Sequence, residues 1–173
     1  GCIEPIAFRE DGSIVQAEIT SCGGNGGPLI GKGQYPAYLA CHLFAREEAL
    51  TTGAPGEWMD CRFPKITQDG RDGDEEPGYV ANLRDGAHAG FKYFDCRGIR
   101  GISVRVRGYC QGEIGVKTAW NGEVLGWIPV DFTNEWKEYH GDIAIPDGVQ
   151  SLYFVYRGYG AANLASFTLE TED

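Results

Sequence analysis

Basic charge is the first thing this sequence lacks. Its 173 residues carry 15 Lys and Arg against 25 Asp and Glu, a formal net charge of −10. So acidic a chain has no basic stripe for neutralising phosphates, which argues against nucleic acid, and nothing to draw it to an anionic membrane. Long apolar runs are missing too, so no membrane span is expected, and no signal peptide is visible. The chain opens abruptly at Gly1-Cys2-Ile3, as expected of a piece cut from a longer protein. Among the six cysteines (Cys2, Cys22, Cys41, Cys61, Cys96 and Cys110) there is no CxxC and no paired metal spacing, which argues against zinc. An even count permits disulfides. The spacing is irregular, however, and a chain of this length needs no staples, so buried free thiols are expected.

Catalytic signatures are absent as well. There is no GxSxG, no HExxH and no phosphate-binding P-loop, and His42, His88 and His140 stand alone. Asp72, Asp74, Glu75 and Glu76 crowd one loop, where a solvated acidic loop is a plainer reading than a glycosidic acid–base pair. The same loop fails as an EF-hand. With Asp72, Asp74 and Glu76 as the first ligands, Pro77 falls where Gly is required and Leu83 where Glu is required. The chain is therefore expected to be non-catalytic.

What the sequence does have is glycine, 26 residues of it, and short apolar runs broken by Asp-Gly and Asn-Gly. That pattern reads as an all-β protein. Residues 3–22 suggest two short strands around Asp11-Gly12, and the "GGNGGP" that follows suggests a flexible boundary. Residues 35–44 are ambiguous between strand and short helix. Residues 51–78 read mostly as loop, with one short strand near Cys61. Beyond these the strands are clearer. "GISVRVRGY" alternates, with Ile102, Val104 and Val106 on one face and Ser103, Arg105 and Arg107 on the other. "GEIGVKTA" and "EVLGWIPV" flank a turn at Asn121-Gly122, and "SLYFVYRG" and "ANLASFTLET" close the chain. About nine strands at regular spacing predict a sandwich.

Several aromatic residues fall at strand ends beside polar loops: Tyr79, Trp120, Trp136, Tyr139 and Tyr159. Each alone is best read as core. Together they suggest a surface for a sugar, whose C–H face lies on aromatic rings while amides and carboxylates take the hydroxyls.

At this point the motifs resemble a known family. "GYVANLRDGAHAGFKYFD", the Thr133–Trp136–Tyr139 turn and "SLYFVYRGYGAANLASFTL" follow the order and spacing of family 6 carbohydrate-binding modules over residues 35–170. "IEPIAFREDGSIVQAEITSC" is similar to the exit of a family 43 glycoside hydrolase catalytic domain. The resemblance implies a β-sandwich jelly roll in two parts: residues 1–30, an arm from the end of the hydrolase domain with a Gly-rich linker, and residues 31–173, the module. It implies a cleft in which Tyr79 and Tyr139 grip one sugar, Asn163 bonds its hydroxyls, and Trp136 lies beneath as core. Pairing Tyr with Tyr, where a Trp is common, should weaken stacking. The family also uses a second cleft on a concave face, whose residues the sequence does not assign. A structural calcium is usual, but Ala165 stands at the position of an Asp that helps hold it, and "YLACHL" replaces the "EAE"-like opening strand. No cofactor is therefore certain.

The resulting expectation is a module that binds xylan or related hemicellulose, weakly and reversibly, beside a tethered hydrolase that supplies avidity. The alternative is a structural domain packed on the catalytic domain. Polysaccharide partners favour an extracellular location, while the cysteine spacing also suits a cytoplasmic enzyme acting on imported oligosaccharides.

Overall fold

The computed structural model describes residues 3–46, 62–71 and 77–171. The acidic loop 72–76, Cys2 and Cys61 lie outside the described residues, and so does the strand expected near Cys61. Among the described residues the protein is β-strand with two single 3-10 turns: β1 Leu29–Gly31, β2 Gly33–Pro36, β3 His42–Phe44, β4 Lys65–Thr67, β5 Tyr79–Arg84, β6 His88–Cys96, β7 Ile99–Gly108, β8 Cys110–Lys117, β9 Gly126–Val130, β10 Thr133–Gly141 and β11 Gly148–Thr171. The ambiguous stretch 35–44 resolves into the end of β2, a 3-10 turn at Ala37–Leu39 and β3.

Two curled sheets face each other, as the all-β reading predicts. In the first, β1 and β3 flank β6, followed by the first half of β11, then β8 and β9. In the second, β7 and β10 lie on one side of the second half of β11, and β2, β5 and β4 on the other. Strand β11 thus serves both sheets. The sequence suggests two strands parted by "RGYGAAN". The structure keeps one continuous strand that bends through Gly158-Tyr159-Gly160, because β8 still pairs up to Gly160 while β5 and β7 take over from Ala161 and Asn163.

Alternation fills the space between the sheets. Ile102, Val104 and Val106 of β7 are fully buried, as their period predicts, and Leu164, Phe167 and Leu169 of β11 join them. Phe91, Phe94, Phe154 and Phe167 interlock at ring separations of 4.8–5.8 Å, and Tyr35 sits edge-on to Phe94 at 4.9 Å. Full burial of each such ring contributes about 1.5–3 kcal/mol. The stretch "GFKYFD" is therefore a wall of the core.

The N-terminal arm stands apart. Its two expected strands reduce to one bridge, Phe8 to Ile14, around a turn in which Ser13 N–H donates to Asp11 Oδ1 at 2.9 Å. Polar ties hold it to β6: Lys92 Nζ meets Glu18 at 2.7 Å, and the Tyr93 hydroxyl donates to the same carboxylate at 2.9 Å. Ile3, Ile6, Phe8, Ile14, Val15 and Ile19 are all exposed.

Candidate functional site

At the end of the sandwich where β5 begins, two rings meet. Tyr79, the first residue of β5, lies edge-to-face with Trp136 of β10, centroids 5.2 Å apart. Trp136 gets there through an irregularity in the ladder: β10 runs from Thr133 to Lys137 while β7 moves only from Gly108 to Val106. A bulge of this kind re-aims a side chain that regular alternation would place elsewhere. The guanidinium of Arg107 packs over both rings, 4.3 Å from the Trp136 centroid and 5.5 Å from that of Tyr79. Asp69 locks the group together. It accepts from Arg107 Nη2 at 2.8 and 3.1 Å and from the Tyr79 hydroxyl at 3.0 Å. The Arg107 hydrogen bond, helped by that of Tyr79, holds the Asp69 carboxyl below the usual carboxylate range. Burial, then the Asp69 hydrogen bond, pushes the Tyr79 phenol up.

Asn163 belongs to the same corner. It pairs directly with Arg107 across β11 and β7, and its Oδ1 accepts from the backbone N–H of Asn82 at 3.1 Å. Asn82 has φ of 64°, the left-handed conformation that Asn tolerates better than most residues, at the point where the β5–β11 register shifts. The Asn163 Nδ2 group makes no hydrogen bond among the described residues.

Tyr139 lies elsewhere. It pairs with the core residue Val104, packs against the hydrophobic core, and gives its hydroxyl to Asp131, while Lys137 Nζ lies 4.7 Å over its ring. The two aromatic residues of β10 therefore exchange the parts that the sequence gives them: Trp136 faces Tyr79, and Tyr139 is the one on the core side. Sequence reading also missed Arg107 and Asp69. Arg107 left a signal, since it ends the outward face of an alternating strand beside a predicted ring. Asp69 left none.

A second aromatic group covers the outside of the first sheet. Trp120 lies 4.3 Å from Phe44, 4.8 Å from His88 and 6.0 Å from Tyr153, centroid to centroid. Gly90 leaves the room, since a Cβ there would come within 2.8 Å of the Tyr153 ring. Cys22, Cys41, Cys96 and Cys110 are free thiols, and burial raises that of Cys96 to about 11. Among the described residues no group of His, Cys, Asp and Glu is arranged to hold a metal. Ala165 offers only a methyl group where the resemblance implies a calcium-holding Asp.

No sequence-family model matches the chain. Over 172 residues it is 61% identical to a xylosidase/arabinosidase of Thermoclostridium stercorarium, a match that takes in 99% of this chain and 36% of that relative. A module of Clostridium stercorarium solved with cellobiose superposes with a TM-score of 0.64 at 17% identity, over 85% of this chain and 99% of that one. Its fold is that of the family 6 carbohydrate-binding modules. The family 43 arabinoxylan arabinofuranohydrolase of Bacillus subtilis, solved with cellotetraose, superposes with a TM-score of 0.63 at 17% identity, over 98% of this chain and 33% of that enzyme. The isolated family 6 module thus leaves uncovered a part of this chain that the hydrolase covers.

Proposed function

We propose that this protein is a non-catalytic carbohydrate-binding module that holds xylan-type hemicellulose for an attached glycoside hydrolase. The observation that carries this reading is the Tyr79–Trp136 ring pair with the Asn163 amide beside it, at one end of a family 6 fold. The rings supply apolar faces, and Asn163 Nδ2, Asp69 and Arg107 supply groups for hydroxyls. A pyranose gripped between two rings needs about 7–8 Å between them, twice an ordinary carbon–carbon contact. At 5.2 Å the pair is closed. Binding therefore parts the rings, against the Asp69–Arg107 tie, or stacks the sugar on an outer face of Trp136. Either route makes binding weak, and tethering to the enzyme restores the effective affinity. The xylosidase/arabinosidase relative and the arabinoxylan arabinofuranohydrolase support xylan-type chains as the ligand class, and a polysaccharide ligand favours an extracellular place of work.

The arm favours a second role alongside the first. Six exposed apolar side chains on residues 3–19 are what a segment shows when its partner surface is absent. We assign residues 1–30 to the end of the preceding catalytic domain and residues 31–173 to the module. The test is calorimetry with xylo-oligosaccharides and arabinoxylan fragments on the wild type, Trp136→Ala and Asn163→Ala. Binding that both substitutions abolish supports the site. A wild type that binds none of these sugars makes the protein a structural domain packed on its hydrolase.

A further inference from the structure

Three aromatic side chains near the bend of β11 take no part in the ring pair. Tyr109 lies between β7 and β8, Phe132 between β9 and β10, and Tyr159 in the bend of β11, with exposures of 66%, 59% and 69%. They form one group: the Tyr109 centroid is 5.3 Å from that of Phe132 and 6.0 Å from that of Tyr159. With Cys110 and Gln111 they line a recess of about 300 Å³. Neither the Tyr109 nor the Tyr159 hydroxyl has a hydrogen-bond partner among the described residues.

The backbone holds these rings out. Gly160 has φ of 76°, and a Cβ on it would collide with the carbonyl oxygen of Tyr109. That oxygen accepts from Ala161 N–H at 2.9 Å. The carbonyl of Tyr159 accepts from the buried Tyr156 hydroxyl at 2.5 Å. The turns carrying Tyr109 and Tyr159 are thus pinned to each other, with both rings largely exposed. An exposed apolar group on a rigid support marks a binding surface.

Polar groups flank it in alternation. Gln111 lies directly across from Tyr159, and the next pair on that face is Glu113 with Arg157, joined at 2.6 Å, the guanidinium lying 3.8 Å above the Trp127 ring. On the other side Asp85 accepts from Gly158 N–H at 3.1 Å. Rings interleaved with an amide, carboxylates and a guanidinium suit a neutral sugar chain, with its apolar faces and hydroxyl edges. A protein partner fits less well. The arm joins β6 at Lys92, abreast of about Ser151 on β11, and Tyr159 lies eight residues further along that strand, about 26 Å away.

The same three chain segments carry both groups. Tyr109 follows Arg107 by two residues, Phe132 precedes Trp136 by four, and Tyr159 precedes Asn163 by four. At strand spacing these steps are about 7–13 Å, a span of a few sugar units. We propose that Tyr109, Phe132 and Tyr159 form a second sugar platform continuous with the Tyr79–Trp136 pair, so that the module binds an internal stretch of a neutral polysaccharide. This rests on the carbohydrate-binding reading above and extends it from one sugar to a run of them.

Chain length is the readout. Calorimetric titration with xylotriose and xylohexaose, arabinoxylan fragments and cellohexaose is carried out on the wild type, Tyr159→Ala, Phe132→Ala and Trp136→Ala, with circular dichroism confirming each fold. The wild type is expected to bind the hexasaccharide at least tenfold more tightly than the trisaccharide. Tyr159→Ala and Phe132→Ala are expected to keep the trisaccharide affinity and lose most of that gain. If they show the wild-type dependence on length while Trp136→Ala abolishes binding, the platform is overturned and the ring-pair reading stands. If they abolish binding while Trp136→Ala is without effect, the platform stands and the ring pair falls. A wild type that binds none of these oligosaccharides overturns both. Should Tyr159→Ala fail to fold, Phe132→Ala, in a separate turn, decides the matter.

Discussion

Trp136 and Tyr139 differ by three positions in the chain and by everything in their surroundings. Trp136 offers its ring to Tyr79 and Arg107, while Tyr139 is spent on the core and on Asp131. Trp136→Ala should therefore cost about 1–2 kcal/mol of sugar binding, enough to carry an already weak interaction below calorimetric detection, with little change in the unfolding midpoint. Tyr139→Phe should do the reverse: urea titration should show a loss of about 1 kcal/mol, with sugar affinity intact. Asp69 adds a pH dependence. Its folded pKa is depressed, chiefly by Arg107, so its tie to the ring pair is at full strength above the ordinary carboxylate value of about 4 and is lost as pH falls through the lower folded value. The indole resonance of Trp136 should shift across that acid window in the wild type and stay flat in Asp69→Asn. The ring types were legible in the sequence. Their assignment was not, because a bulge in β10 decides which aromatic leaves the ladder, and no residue in "TNEWKEY" announces a bulge.

Strand β11 is the element on which the rest depends. Its first half completes one sheet, its second half completes the other, and the bend between them carries Tyr159. Ala at Gly160 would adopt a left-handed conformation at a cost of about 1–3 kcal/mol, before the collision with Tyr109 is counted. Gly160→Ala should thus lower the thermal midpoint and also blunt the gain in affinity with chain length, since the bend sets both. Phe167→Ala, which removes a ring touching Phe91, Phe94 and Phe154, should cost about 3–5 kcal/mol by urea titration without altering the sugar surface of any protein that remains folded. Alternation made β7 readable residue by residue. The continuity of β11 was hidden because "GYG" looks like a turn, whereas pairing with β8 keeps it extended to Gly160.

At the scale of the whole molecule, the sandwich and the arm are separable. No described residue of the arm before Ser21 is buried, and its ties to β6 are partly exposed polar contacts worth about 1 kcal/mol each. Deleting residues 1–20 should leave the sandwich folded and shift its midpoint by only a few degrees in a thermal melt followed by circular dichroism. If residues 1–30 close a preceding catalytic domain, as proposed, the arm should resist proteases in a chain that includes that domain and be cut in this one. The sequence by itself determined the fold class and the core face of the alternating strand β7. Those depend on local period and turn chemistry, which a linear chain displays. Only the tertiary structure decided which ring pairs with Tyr79, that Arg107 and Asp69 close the pair, and that Tyr109, Phe132 and Tyr159 converge. These rest on contacts between strands far apart in the chain, where bulges and bends, not periodicity, set the direction of each side chain.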